Sequence, residues 1–361
     1  MPDGPATPLA TLAAWILYPT GSAVILTTLL PMVRRGWWWL RIWDFPRPQN
    51  AVIGPLVFVA GWVVLPGSAT AWVFLGALGT VSAYQVWRVW PFTPFAPKQM
   101  LDATGDEPTR RLRILVTNVE VSNREAGPVL DAVRASEPDL WLALEPDDWW
   151  CERLRRLDPL FGHGVDRPQD NAYGLMFRSR LPVRDLDVEE LVEPGVPSLR
   201  ARVQLRCGDW VAFHGLHPRP PHTFQASFSR DGELMIAARG IAGRDVATVV
   251  AGDFNDAPWS RSCRMFQKIS RLLDPRLGRG LFNTFNARRR ISRWPLDHVF
   301  ASEHFRLVRI EALPPVGSDH HPLLVDLSYE PEGAAEQAPR AMQEADHSAA
   351  ETLLRRGDRV G

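Results

Sequence analysis

The chain has 361 residues, enough for one large domain or two smaller ones, and its 41 basic and 41 acidic side chains leave a formal net charge of zero. That balance argues against a protein that coats nucleic acid with bulk positive charge, although local patches remain open. The three cysteines, Cys151, Cys207 and Cys263, are widely spaced with no CxxC pair, which fits neither a disulfide framework nor a zinc module.

The amino-terminal hundred residues differ sharply from the rest. Residues 9–33 carry no charged side chain, a run long enough to cross a bilayer, for which about 20 apolar residues suffice. A secretory signal fits poorly, because the run is too long and lacks a basic leader. A second uncharged stretch, 49–86, is interrupted at Pro66-Gly67-Ser68 and reads as a helical hairpin with arms at 51–65 and 69–87. Three spans are expected, with two as the runner-up. Trp37, Trp38, Trp39 and Trp43 follow the first span, and Trp87 and Trp90 end the last, as interfacial anchors would. Arg34, Arg35, Arg41 and Arg47 mark the intervening loop as cytoplasmic by the positive-inside rule. Three spans then leave the remainder in the cytoplasm, on the inner face of the cell membrane. Two would place it outside.

Residues 91–110 are rich in Pro and polar groups and read as a linker, and 111–328 as a folded domain. From 329 to 361 large apolar residues thin out, and a disordered or loosely helical tail is expected.

Within the domain, 111–116 (RLRILV) is strand-like and ends near Asn118. An amphipathic helix carrying Val129, Leu130 and Val133 follows, and then a second strand, 140–144, delivers Glu145 at its end. A charged Glu at a buried strand end costs on the order of several kcal/mol unless paired or bound to a cation; the bland alternative is a solvated loop residue. Further strands are expected at 172–178, 199–205 and 210–213, the last leading to His214-Gly-Leu-His217 and a Pro-rich run. Two histidines there invite a zinc reading, but no third ligand has suitable spacing. A helix over 232–241 precedes 247–251, a buried strand that breaks at Gly252 and puts Asp253, Asn255 and Asp256 in a loop closed by Pro258. An Asx-type turn alone would explain that loop equally well. A helix over 263–272, the run Arg288-Arg289-Arg290, Asp297 at the start of a strand, and Asp319-His320 before a closing strand complete the order. Arg288 either contacts a phosphate or belongs to a solvated charge run. No glycine-rich phosphate loop and no GxSxG elbow is present, so Ser-His-Asp acyl chemistry has no nucleophile in context. The pattern predicts an α/β (α+β) domain: a four-layer sandwich of two packed mixed β-sheets flanked by helices, preceded by an N-terminal transmembrane helical region.

Taken together and in order, RILVTNV, PDLWLALEP, YGLMFRSRLPV, FHGLHP, VVAGDFND, PLDHVFAS and GSDHHPL resemble the blocks of the endonuclease/exonuclease/phosphatase superfamily over about residues 112–327. The resemblance implies a metal-dependent phosphoesterase with its site at one end of two sheets. It makes Glu145 the principal Mg2+ ligand, with Asn118 and Asp319 near the ion or its waters and Mn2+ able to substitute. Asp253 would orient or deprotonate the attacking water, Asn255 would hold the phosphate, and His320 (paired with Asp297) and His217 would flank the scissile group. Asn171 and Tyr173 fall where members often contact phosphate, by a looser match. The family often has Gln before its metal-binding Glu, whereas Leu144 stands here, which puts the support around the metal in doubt.

Independently of the resemblance, oxygen donors suit a hard cation that neutralises phosphate charge, and histidine titrates where proton transfer is useful. The expected activity is hydrolysis of a phosphodiester or phosphomonoester by activated water. A membrane anchor favours a phospholipid or lipid-linked phosphate as substrate. The alternatives are a membrane-associated endo- or exonuclease and, from another class, an inactive membrane interaction protein. Nucleic acid is a permitted partner but not a required one.

Overall fold

The computed structural model describes residues 8–353, apart from 34, 66, 221–226, 244–245, 344–345, 347 and 349. Arg34 of the basic loop, Pro66 of the hairpin break and the tail past 353 lie outside the described residues.

The amino-terminal region folds as α1 (Pro8–Leu29), the short α2 (Trp38–Arg41), α3 (Arg47–Val64) and α4 (Ala69–Val89). Ser68 caps α4 by accepting from the Ala71 amide at 3.2 Å, so the chain reverses between α3 and α4 with one orphan donor satisfied. The three long helices share a core of Leu17, Val24, Val57, Leu75, Leu78 and Val81. Their outer faces remain apolar: all large exposed apolar side chains except Leu160, Ile291 and Val308 lie between Leu12 and Phe95 among the described residues. Polar groups face inward at one end. Gln85 donates to Thr28 at 2.8 Å and accepts from Arg47, which also pairs with Asp44 at 2.7 Å.

The larger unit runs β1 (Arg111–Asn118), α5 (Ala126–Ser136), β2 (Leu140–Leu144), α6 (Asp148–Leu154), β3 (His163–Arg167), β4 (Leu175–Ser179), β5 (Val183–Glu190), β6 (Pro197–Gln204), β7 (Trp210–Gly215), α7 (Phe228–Ile241), β8 (Thr248–Asp253), α8 (Arg261–Ser270), β9 (Asp297–Ala301), β10 (Phe305–Ala312) and β11 (Leu323–Tyr329). One sheet is ordered β10-β11-β1-β2-β4-β3 and the other β5-β6-β7-β8-β9. Each contains one parallel pair, β1–β2 and β7–β8, among antiparallel ones. Ile114, Leu142 and Phe177 from the first sheet meet Leu199, Phe213, Val249 and Val299 from the second, with Phe177 stacked on Phe213 at 5.3 Å. Outside the first sheet, Leu115 and Trp141 pack with Val129 and Val133 of α5 and Trp150 of α6. Outside the second, Val250 and Phe300 pack with Leu234 of α7 and Phe266 of α8. Helix, sheet, sheet and helix make the expected four layers.

Three details depart from the sequence reading. The strand expected from residue 172 starts at Leu175, because Ala172 takes a left-handed φ of 65°. β3, β5 and β10 were not anticipated; each lies at the edge of its sheet and carries too few buried side chains to make an apolar run. In the tail expected from 329 to be disordered or loosely helical, Gln337 is buried and donates to the Glu303 and Phe305 carbonyls at 2.8 and 3.0 Å. Those bonds pin the chain just after the closing strand.

The helical region and the domain are joined by more than the linker. Trp259 donates to the Asp44 carbonyl at 2.7 Å, the Ser227 amide to the Gly36 carbonyl at 2.8 Å, and Gln49 to the Ile291 carbonyl at 3.1 Å. Phe92, Ala257, Trp259 and Leu277 form a small apolar cluster at the junction. The loop after β8 therefore rests directly on the helical region.

Glu233 on α7 is a buried carboxyl that accepts one hydrogen bond among the described residues, from Ser198 Oγ at 2.9 Å. Burial, aided by Glu193, pushes it up to about 8. Between the ordinary Glu value and 8 the unfolded chain releases this proton while the folded chain keeps it. Stability is therefore lost as pH rises through that window, by on the order of a few kcal/mol. Denaturant titration of Glu233→Gln at pH 5 and pH 8 should show a much smaller difference than the wild type. An equal difference in both proteins would mean Glu233 is not the group responsible.

Candidate active site

The residues picked out by pattern converge at one end of the sandwich. Asn118 ends β1, Glu145 follows β2, His217 follows β7, Asp253 ends β8 and Asp297 begins β9. Asp319 and His320 lie in the loop before β11. Because β1 is parallel to β2 and β7 to β8, four of these strand ends can open on the same side.

The backbone is shaped to make this possible. Glu120, Glu145 and Asn255 have φ of 56°, 64° and 50°, a left-handed conformation that costs non-glycine residues roughly 1–2 kcal/mol each. Two glycines permit close approach. A side chain at Gly252 would collide with the Leu216 carbonyl, and one at Gly174 with that of Pro146. The Gly174 carbonyl in turn accepts from the Glu145 amide at 2.9 Å.

Asn118 Nδ2 donates to Glu145 Oε1 at 2.8 Å and lies 3.4 Å from Asp253 Oδ2, so it ties the two sheets together. Glu145 Oε2 accepts from the Val121 amide at 3.3 Å. Burial raises the Glu145 carboxyl above its ordinary value despite these donors. Asp319 is raised by burial too, and Glu120 beside it adds to the effect. Glu145 feels the charge of Asp319, and both stay raised although His320 opposes the effect; oxygen donors so placed have the chemistry of a hard-cation site.

The other half of the site is a proton-handling cluster. His320 Nδ1 sits 2.7 Å from Asp297 Oδ2, and its Nε2 lies 3.6 Å from Asp253 Oδ2. Burial works against the imidazolium, but Asp297 and Asp253 outweigh it and push His320 up to about 10. Asp253 is raised by burial, an effect that charged His320 opposes. One oxygen of Asp253 is fixed by the Asn255 amide at 2.8 Å. The Asp297 amide points to Thr284 Oγ1 at 3.2 Å. Ligand atoms of Asp253, Asp297 and His320 all lie within 4.8 Å of one another.

His217 is buried, with Nε2 4.0 Å from Asp253 Oδ2 and Nδ1 lacking a hydrogen-bond partner among the described residues. Burial, then repulsion from His320, drives it down to about 4, so it is neutral near pH 7. Asn255 donates to the Pro218 carbonyl at 3.1 Å. Asp256 turns away, accepting from Ser260 at 2.7 Å and from Ser262 and pairing with Arg230 at 3.3 Å, so it shapes the loop. Tyr173 lies against His217 with ring centres 5.8 Å apart, whereas exposed Asn171 accepts from the Tyr173 amide at 3.2 Å in a local turn. Arg288 stands at the rim, paired with Glu120, which also accepts from the Asp319 amide at 3.1 Å.

Glu120, Thr284 and Phe285, whose ring lies 5.0 Å from His320, were missed from sequence. Glu120 is close to Asn118 but nothing in its surroundings distinguishes it. Thr284 sits in a long irregular segment where periodicity is silent.

A model of the endonuclease/exonuclease/phosphatase family matches residues 115–320. The chain belongs to this family. It thereby joins hydrolases that act on phosphoester bonds. No curated protein matches the chain. Among solved structures it is similar to a family protein from Bacteroides thetaiotaomicron, at 18% identity and a TM-score of 0.50 over 61% of this chain and 98% of the other. A family protein from Beutenbergia cavernae gives 22% identity and 0.49 over 61% and 72%. The catalytic domain of human Nocturnin gives 16% and 0.48 over 62% and 96%. At such identities the likeness concerns the fold alone.

If Asp297 keeps His320 charged, Asp297→Asn should let burial dominate and drop the His320 pKa by several units. Histidine-selective NMR titration reads this directly. A His320 signal that still stays protonated past pH 9 in the variant would assign the charge to another partner.

Proposed function

We propose that the chain is a membrane-anchored, Mg2+-dependent phosphoesterase that attacks a phosphodiester or phosphomonoester with activated water. The observation that carries this reading is the meeting of two dissimilar carboxylate groups at the same sheet ends: Glu145 with Asn118 and Asp319, and Asp253 with His320 and Asp297. The first set offers oxygen donors deficient in positive charge and holds Mg2+, with Mn2+ as a substitute. The ion supplies neutralisation of the phosphate charge when bound.

The chain's own residues do the rest. Asp253, anchored by the Asn255 amide, accepts a hydrogen bond from the incoming water and orients it. His320, held charged by Asp297, donates to a phosphate oxygen whose charge grows as the bond breaks. His217 stays neutral, with one ring nitrogen available to the substrate. Asn255, whose side-chain amide gives one N–H to the Pro218 carbonyl, presents the other to the phosphate. Asp253 and His320 share one protonation equilibrium, so the pH profile reports the pair and not either residue. Tyr173 and Arg288 border the entrance and serve as substrate contacts, while Asn171 sets the turn that aims Tyr173.

Support for the anchor comes from the helical region. Thr11–Met32 is, among the described residues, the one helix of the three expected spans long and apolar enough by itself to cross a bilayer, and its apolar window is 22% buried, where the core helix of a soluble domain is mostly buried. The exposed apolar belt over α1, α3 and α4 would be a large exposed patch in water, and the inward-facing Thr28, Gln85 and Arg47 hydrogen-bond one another, the partnering that polar groups inside a bilayer need. The loop following Asp253 rests on this region, which keeps the site near the bilayer and favours a phospholipid or lipid-linked phosphate. The catalytic domain then lies on the cytoplasmic side. A nuclease is the second reading, favoured by Arg288 at the rim, but zero net charge gives little of the phosphate attraction that sets DNA affinity. An inactive scaffold would not retain strained backbone and buried carboxylates that cost stability.

Purified full-length protein with Mg2+ or Mn2+ should hydrolyse a lipid phosphodiester or phosphomonoester faster than single- or double-stranded DNA. Glu145→Ala and Asp253→Ala should each lower kcat by about a hundredfold or more. Undiminished activity in both variants contradicts the site, and preference for DNA contradicts the substrate class. A cytoplasmic-type reporter fused after Leu327 should be active; an extracytoplasmic signal rejects three spans.

A further inference from the structure

Away from the catalytic centre, a cavity of about 660 Å³ lies between the helical region and the outer helices of the second sheet. Its walls come from the chain after α1, from α2, from the last turn of α4, and from α7 and α8. None of the residues proposed for catalysis lines it. Among the described residues, seven cationic side chains face it against three carboxylates.

The carboxylates are already committed. Asp44 is shared by Arg41 at 3.2 Å and Arg47 at 2.7 Å, Asp346 pairs with Lys268 at 2.6 Å, and Asp231 pairs with Arg230 at 2.9 Å. Arg88 and Arg264 have no carboxylate within ion-pair distance among the described residues. Each is held in place through a backbone carbonyl: Arg88 donates to Trp259 and Arg264 to Ser260 at 3.1 Å. Both are half-buried. Burial, then the nearby charges of Arg340 and Arg47, pushes the Arg264 guanidinium below its ordinary value. Like charges held together in a recess, with their stems fixed and no further hydrogen-bond partner among the described residues, are short of an anion.

We infer that this cavity binds a phosphate-bearing anion, at a site distinct from the catalytic one. Guanidinium groups fix tetrahedral oxyanions through paired N–H donors, which favours phosphate over a single carboxylate. The cavity volume falls within the range of about 300–1,000 Å³ usual for small-molecule sites. With the helices in a bilayer, as the proposed function has them, its place at their end is where basic pockets meet lipid headgroups, so the phosphate comes either from a lipid headgroup or from a soluble phosphate compound.

The test uses full-length protein in detergent micelles with EDTA, so that a divalent cation cannot recruit the anion to the catalytic site. Thermal unfolding is followed while inorganic pyrophosphate is titrated in one arm. In the second arm dioleoyl phosphatidic acid is added, with dioleoyl phosphatidylcholine as the neutral-headgroup control. Stabilisation by pyrophosphate identifies a soluble anion as sufficient; stabilisation by phosphatidic acid alone identifies a headgroup. Either supports the site if Arg264→Gln and, separately, the exposed-side variant Arg35→Gln weaken the apparent affinity by about tenfold and threefold while Glu145→Gln leaves it unchanged. The inference is overturned if neither anion stabilises the protein, if both Arg variants respond as the wild type does, or if Glu145→Gln alone abolishes the response.

Discussion

Asp253 and Asp297 stand directly opposite each other across the antiparallel β8–β9 pair, and each is 1% exposed. Like charges in that relation repel, and removal from water strengthens the repulsion. His320 resolves the conflict by reaching both, 2.7 Å from Asp297 and 3.6 Å from Asp253. One imidazolium between two carboxylates leaves the cluster with at most one net negative charge, and less when Asp253, raised by burial, takes up a proton. Glu145 and Asp319 add further negative charge on the neighbouring sheet ends, with Arg288 only at the rim. A fold that gathers so many carboxylates leaves a deficit of positive charge at one place. That deficit connects the architecture to phosphoester chemistry, since a cation and a developing phosphate charge are what it accommodates.

The scaffold keeps the cluster from relaxing. Asn118 bridges from the first sheet to Glu145 and towards Asp253, so separating the sheets breaks the site. Left-handed conformations at Glu145 and Asn255 hold loop residues where extended backbone would carry them away. Behind the loop, buried Arg230 donates to the Asn255 carbonyl at 2.9 Å and pairs with Asp231 and Asp256. Asp231 also lines the basic cavity, so the catalytic loop and that cavity share a wall. Trp259, six residues past Asp253, is bonded to Asp44 of the helical region. Whatever fixes the helices thus also fixes the loop.

Much of this was legible in sequence because burial and chemistry coincide at strand ends. The run 247–251 is apolar because β8 is buried throughout, and Gly252-Asp253 follows because the backbone must pass the Leu216 carbonyl closely. Glu145 after the fully buried β2 was legible for the same reason. Edge strands β3, β5 and β10 were not, since a strand paired on one side and half solvated needs no apolar run. Glu120 and Thr284 were invisible because their roles depend on contacts across long sequence separations, to Asp319 and to Asp297. Roles also resist sequence reading. Pattern placed two histidines in the site, but only burial and neighbours make His320 charged and His217 neutral.

Glu145, with Asn118 and Asp319, is proposed to hold a divalent cation beside the Asp253–His320–Asp297 cluster. Titration of full-length protein with Mn2+, followed by electron paramagnetic resonance of the free ion, measures this without any substrate. Saturable binding is expected, competed by Mg2+, that weakens by at least about tenfold in Glu145→Gln and little in Arg264→Gln. Binding that is absent from the wild type, or unchanged in Glu145→Gln, would contradict it.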